Sequence, residues 1–233
     1  MLQQWLHDAW LYLCWKAAGY TGVAVSVAIP AALALCAYTG AVCRLAQNPR
    51  HPWVPLLIGA VGFTFMASYL SIRPSIWTAA LLFVAISICL EWRHSANPRC
   101  LLALPIVSLL CVNLQAALWP LPTAAAACFL LPEKDEISTQ AIAKTLRAWW
   151  RSRLPLLAAV AGMAAESLGN PYCIDGSLYV LRSLGAASYG GVILELNPVW
   201  VMPAAALFWG ASILVAFISV SYTHLTLPTN SRV

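Results

Sequence analysis

The chain has 233 residues, 61% of them hydrophobic and only 9% charged, with a formal net charge of +5. An ordinary soluble domain carries roughly 25% charged residues, so this composition lacks the polar surface of a water-soluble globule. The basic residues fall in small groups between apolar runs, without the stripe or recognition helix of a nucleic-acid binder, and no nucleic-acid partner is expected.

In hydrocarbon every backbone amide must be satisfied within its own segment or by a closed barrel, and the apolar runs here are unbroken where barrel strands would alternate. The expected fold is therefore all-α, a polytopic transmembrane helix bundle of about six to seven spans with added interfacial helices. No basic leader precedes the first apolar stretch, and the true start is expected upstream. Residues 1–17 are rich in Trp and Tyr but carry His7 and Asp8, which suits an interfacial helix at the end of an outer loop. The transmembrane domain is expected over 18–220. Ala18 to Cys43 has no charge and closes at Arg44; Pro55 to Ile72 ends at Arg73-Pro74, Ser75 to Leu90 ends at Glu91, and Leu101 to Leu118 follows.

Trp119 to Pro132 is apolar but short, with prolines near both ends, so it reads either as a short span or as a re-entrant segment. Residues 133–153 form a polar cytoplasmic segment in which Ser138 can cap a helix. Its Lys144, Arg147, Arg151 and Arg153 flank Trp149 and Trp150, a pattern suited to an anionic leaflet. Leu154 to Leu168 is apolar again, 169–200 is a long outer loop, and Val201 to Val220 is the final span. Residues 221–233 open on Ser-Tyr-Thr-His-Leu-Thr-Leu-Pro-Thr, which reads as a translated sequencing adapter and is expected to be an artefactual tail.

Positive loops are retained in the cytoplasm, which orients the bundle. If Trp119 to Pro132 crosses, one side collects Arg44, Arg50, Arg93, Arg99, Lys134, Lys144, Arg147, Arg151 and Arg153, and the other holds Lys16, Arg73 and Arg182. If it does not cross, the bias reverses, so the expectation is that it crosses. The extracytoplasmic face then gathers the Asp8 segment, the Arg73-Pro74 turn, the Trp119-Pro120 turn and the 169–200 loop. No repeat of 20 to 50 residues is evident, which disfavours an inverted-repeat transporter.

The polar residues on that face carry two readings each. Glu166 and Arg73 either neutralise one another at the membrane boundary or each reach water separately. Asn113 and Gln115 either bind a sugar or join neighbouring helices. Asp8, beside His7, Gln3 and Gln4, is either a general base or a solvated loop acid. Asp175, Arg182 and Glu195 punctuate the outer loop. The CxxC and HExxH spacings are absent, and no metal site is expected from the residues.

Four stretches together resemble the multi-spanning C-type glycosyltransferases of bacteria. Gln3-Gln4-Trp5-Leu6-His7-Asp8 resembles the end of that family's first outer loop, and Ser71-Ile72-Arg73-Pro74-Ser75 its Arg-Pro-Gln turn. Val112-Asn113-Leu114-Gln115-Ala116 resembles its Asn-Leu-His-Gly helix end, and Gly169-Asn170-Pro171-Tyr172-Cys173 its Asn-Pro-Tyr-Gly loop. Order and spacing match from Gln3 to about Trp200. The resemblance implies transfer of a sugar from a polyprenyl-phosphate donor to an extracytoplasmic acceptor, at the bacterial cytoplasmic membrane and among membrane lipid. It implies Asp8 as the catalytic loop acid, Arg73 or Arg182 as the phosphate contact, and His7, Asn113, Gln115, Asn170 and Tyr172 as further substrate-binding positions. It names no certain cofactor and leaves a divalent metal open. Ser75 stands where the family has Gln, Gln115 where it has His, and Cys173 where it has Gly. An amide cannot handle a proton as an imidazole does, and a cysteine lacks easy access to positive φ, which predicts a turn of different shape. A transporter or flippase using the same cavity, or a non-catalytic subunit, is the competing expectation.

Overall fold

The structure is a computed structural model, which describes residues 4–45, 53, 57, 72–131 and 142–178, with the side chains of 142–149 left aside. The chain divides into two units, 1–182 and 183–233, and all described residues lie in the first. The expected spans over 55–72 and 201–220, the 221–233 tail and Arg182 fall wholly or largely outside the described residues.

Among the described residues the secondary structure is entirely helical. Helix α1 covers Trp5–Leu45, α2 Ser75–Ser95, α3 Ala103–Leu114, α4 Pro120–Cys128 and α5 Ile142–Glu166. Short 3-10 turns at Pro98–Leu102 and Ala116–Leu118 flank α3. The first is capped by Asn97, whose side chain accepts from the Arg99 amide, and its Pro98 has no amide to leave unpaired. Ala96, left-handed at φ 52°, ends α2.

Two of these helices, α1 and α2, are long and apolar enough to cross a membrane. At about 1.5 Å per residue, the 21 residues of α2 match a hydrocarbon core of roughly 30 Å. Helix α1 is not continuous. Ala18 (φ −148°) and Gly19 (φ 57°) break it into a first arm, 5–17, and a second, 20–45. The bend is tight enough that a side chain at Gly22 would meet the Cys14 carbonyl. The apolar, charge-free stretch begins after this break. Tyr12 and Trp15 stand exposed on the first arm, aromatic groups of the kind that settle at a membrane interface.

The core follows helical spacing. Leu81, Ala85, Cys89 and Trp92 form one stripe of α2; Leu104, Val107, Cys111 and Leu114 form one of α3; Leu156, Ala159 and Met163 form one of α5. Leu101 and Ala126 close the cluster. Small residues let the backbones approach: a Cβ at Gly162 would lie 3.1 Å from the Pro105 ring. Ser108 adds a polar tie by donating to the Met163 carbonyl at 2.7 Å.

The polar and apolar runs on either side of Leu154 form one helix, α5, instead of a surface helix and a separate span. Arg153 is accordingly not on a leaflet surface. It is 7% exposed, and its guanidinium lies 5.4 Å from the Trp92 ring centroid, where a desolvated cation gains from the ring's negative face. The Leu101–Leu118 stretch likewise divides into a 3-10 turn, α3 and a second 3-10 turn.

Candidate functional site

Chain direction sorts the side chains to two ends. Helix α2 starts at Ser75, and α3 returns so that Leu114 lies beside that start; α5 ends there too. The contacts fix this alignment: Thr78 Oγ1 donates to Gln115 Oε1 at 2.8 Å, and Asn113 Nδ2 donates to the Gly169 carbonyl at 3.0 Å. At the opposite end Arg44 Nε meets Glu91 Oε2 at 3.1 Å, and Arg93 reaches both the Phe129 carbonyl and its ring, 4.6 Å from the centroid. Trp119, at the start of the short apolar segment, instead donates to the Ser177 carbonyl at the first end. The segment thus has its ends at opposite ends of the bundle.

The four stretches singled out in the sequence meet at the first end. Trp5 Nε1 donates to Asn113 Oδ1 at 2.8 Å, tying the first arm of α1 to α3. Asn113 Nδ2 donates both to its own helix, at Leu109, and to Gly169 beyond α5. Trp10 packs edge-on against Trp77, centroids 6.2 Å apart, which brings the arm to the first turn of α2 just after Arg73-Pro74. Arg73 itself is exposed. No ion pair joins it to Glu166.

The loop after α5 is held by Asn170. Its Nδ2 donates to the carbonyls of Ser167 and Cys173 and lies 3.4 Å from Ser177 Oγ, while its Oδ1 accepts from the Tyr172 amide at 2.8 Å. Ser177 Oγ bonds the Ser167 carbonyl at 2.5 Å. A side chain at Gly176 would run into the Asn170 amide. Cys173 adopts φ 49° in spite of its Cβ, so the left-handed turn forms without the glycine. The bonds to its carbonyl from Asn170 and Ser177 offset a strain of about 1–2 kcal/mol.

Three of the expected site residues at this end keep free polar atoms among the described residues. Asp8 is half-buried, with no side-chain hydrogen bond or ion pair. Gln115 has its oxygen engaged by Thr78 and its amide nitrogen free. His7 is 3% exposed, and neither ring nitrogen has a hydrogen-bond partner. Burial disfavours the charged imidazole and pushes its pKa below the ordinary 6.5; the nearby Ile72 carbonyl, outside hydrogen-bond geometry, and the Asp8 carboxylate oppose this more weakly. His7 and Asp8 are adjacent, so they point about 100° apart around the helix, one inward and one toward the open side.

Among the described residues no group of three metal-ligating side chains is assembled. The arrangement can present one carboxylate and one amide donor to a hydroxyl-bearing ligand, while the His7 imidazole, expected from the sequence as a further contact, is buried out of a ligand's reach. The roles of Trp5 and Thr78 as partners of Asn113 and Gln115 escaped the sequence, because neither spacing nor composition announces which indole or hydroxyl an amide meets. No protein-family model, curated protein or solved structure matches the chain.

Proposed function

We propose that the chain belongs to a polytopic bacterial membrane protein of six to seven spans that moves a sugar from a polyprenyl-phosphate donor to an acceptor outside the cytoplasm. The observation that carries this reading is the meeting of Trp5, Asn113 and Gly169 at one end of the bundle. They belong to separate stretches that resemble glycosyltransferase segments, far apart in sequence and joined by hydrogen bonds in space. The segregation of Arg44, Arg93 and Arg99 to the other end supports an orientation with the site facing outward.

In this reading Asp8 accepts the proton of the acceptor hydroxyl as its oxygen attacks the anomeric carbon. The bond from that carbon to the lipid phosphate breaks, and the phosphate carries away the electron pair. Arg73 or Arg182 stabilises the departing phosphate, and Gln115 orients a hydroxyl, while His7 stays buried in the arm that carries Asp8. Asn113, Asn170 and Tyr172 shape the walls.

The test uses the full-length protein in liposomes with a radiolabelled polyprenyl-phosphate sugar. Transfer to acceptor, or hydrolytic release of polyprenyl phosphate, is expected, with Asp8→Asn lowering kcat about 10²-fold or more. Facilitated movement of the lipid-linked sugar across the bilayer without release would favour the flippase reading. Full activity in Asp8→Asn would remove the catalytic role assigned to that carboxylate.

A further inference from the structure

Thr78 lies in the first turn of α2 and is buried, so its hydroxyl must find its partners within the protein. A hydroxyl has one proton to give and lone pairs to receive. The proton goes to Gln115 Oε1 at 2.8 Å. The Pro74 carbonyl, the acceptor that a helical threonine would otherwise use, already receives the amides of Trp77 at 3.0 Å and of Thr78 itself at 3.4 Å. From the other side the fully buried Cys111 thiol turns to Thr78 Oγ1 as a weak donor at 4.0 Å. The three groups form a chain with one direction, from thiol to hydroxyl to amide oxygen.

That direction fixes which way the Gln115 amide faces. Reversing it would set the N–H pair against Oγ1 and leave the Thr78 proton buried without an acceptor, a penalty that native folds avoid. The side chain also starts from a fixed point, because Gln115 is the first residue past α3 and its backbone amide is held by the Cys111 carbonyl at 2.8 Å. With Oε1 turned inward, Nε2 keeps its N–H donors and, unlike the His7 nitrogens, is not walled in. Asp8 stands at the same end, on the arm that Trp5 ties to Asn113, two residues before Gln115. A ligand hydroxyl that accepts from Nε2 keeps its own proton for a carboxylate. A hydroxyl that met the amide oxygen would give that proton to the amide instead.

We propose that Thr78 is a positioning residue that holds the Gln115 amide oxygen-inward, so that its N–H donates to the oxygen of the acceptor hydroxyl and leaves the hydroxyl proton turned toward Asp8. The inference rests on the group-transfer reading for its ligand, while the orientation of the amide is a property of the protein alone.

The test has one arm for each. In full-length protein in liposomes with the radiolabelled polyprenyl-phosphate sugar, Thr78→Val frees the amide to reverse, and kcat should fall about three- to tenfold with KM within about twofold. Thr78→Ser returns the hydroxyl and should restore kcat to within about twofold of wild type. Gln115→Glu keeps an oxygen for Thr78 but replaces the outward donor by an acceptor, so kcat should fall at least about tenfold with no rise in KM. Without any ligand, the ¹³Cδ NMR signal of Gln115 in glutamine-labelled protein, identified by its loss in Gln115→Glu, should move upfield in Thr78→Val and return in Thr78→Ser, as a carbonyl does on losing and regaining a hydrogen bond. If Thr78→Val fails to fold, Gln115→Glu decides. An unmoved signal in Thr78→Val, an unchanged kcat there, or a Gln115→Glu enzyme with raised KM and intact kcat would each overturn the proposal. If the wild-type protein neither transfers nor releases the sugar, the group-transfer reading fails, and the Gln115 signal alone decides how the amide is held.

Discussion

The hydrogen bond from Trp5 to Asn113 is where the interfacial arm is fastened to the helix bundle, and a double-mutant cycle measures it. Asn113→Ala removes two bonds between segments, to Trp5 at 2.8 Å and to Gly169 at 3.0 Å, besides the bond to Leu109 within its own helix. Hydrogen bonds between membrane helices average about 0.6 kcal/mol and reach about 1.7, so loss of the pair costs about 1–3 kcal/mol. Trp5→Phe keeps most of the ring's contact area and removes one bond, at a cost of about 0.5–1 kcal/mol. Because Asn113→Ala has already broken that bond, the double variant should be only slightly less stable than Asn113→Ala, leaving a coupling of about 0.5–1 kcal/mol. The assay is unfolding of the full-length protein in mixed micelles, followed by helical circular dichroism as the fraction of denaturing detergent rises. Additivity within about 0.3 kcal/mol would refute the reasoning, since distant, independent sites add to that degree.

Three further outcomes follow from the same end of the molecule. Gly176→Ala should destabilise the turn after α5 by about 1–3 kcal/mol, read as faster amide exchange over 167–178, because the new Cβ displaces the Asn170 amide from its bonds. Cys173→Gly should leave the protein equally stable or up to about 1 kcal/mol more stable in the same micelle titration, since relief of positive φ outweighs the entropy of glycine. Burial lowers the His7 pKa on folding, so between that lowered value and about 6.5 the unfolded chain binds more protons than the folded one. Stability should therefore fall as pH drops below about 6.5, and the His7→Gln variant should lose that dependence.

The helical class and the boundaries set by charge and proline are legible in the sequence. Arg73-Pro74 precedes a helix that starts at Ser75, and the apolar run expected over Leu154 to Leu168 is helical as far as Glu166, two residues short of its end. Apolar windows do not show where a helix tightens into 3-10 turns, since Leu101 and Leu102 open the apolar run that continues into α3 yet lie in the turn Pro98–Leu102. Nor do they show that a run of arginines can continue into the apolar run as one helix. Arg153 is buried within α5 with the Trp92 ring of a neighbouring helix beside its guanidinium. The positive φ of Cys173 is a tertiary override: its carbonyl is held by an asparagine and a serine, and the backbone follows.

For the site, the sequence marks which residues are unusual but not which are spent. Asn113 and Asn170 look equally suited to a sugar, yet both amide groups are committed to joining segments of the fold. An amide whose donors already hold two carbonyls has none left for a ligand without breaking the structure that positions it. Asp8 and the Gln115 amide nitrogen differ because their valences are open among the described residues. Substitutions at the two asparagines should therefore act first on stability, and those at Asp8 and Gln115 first on ligand. A substitution series in which Asn170→Ala abolished donor binding while leaving the unfolding midpoint in place would reverse that division.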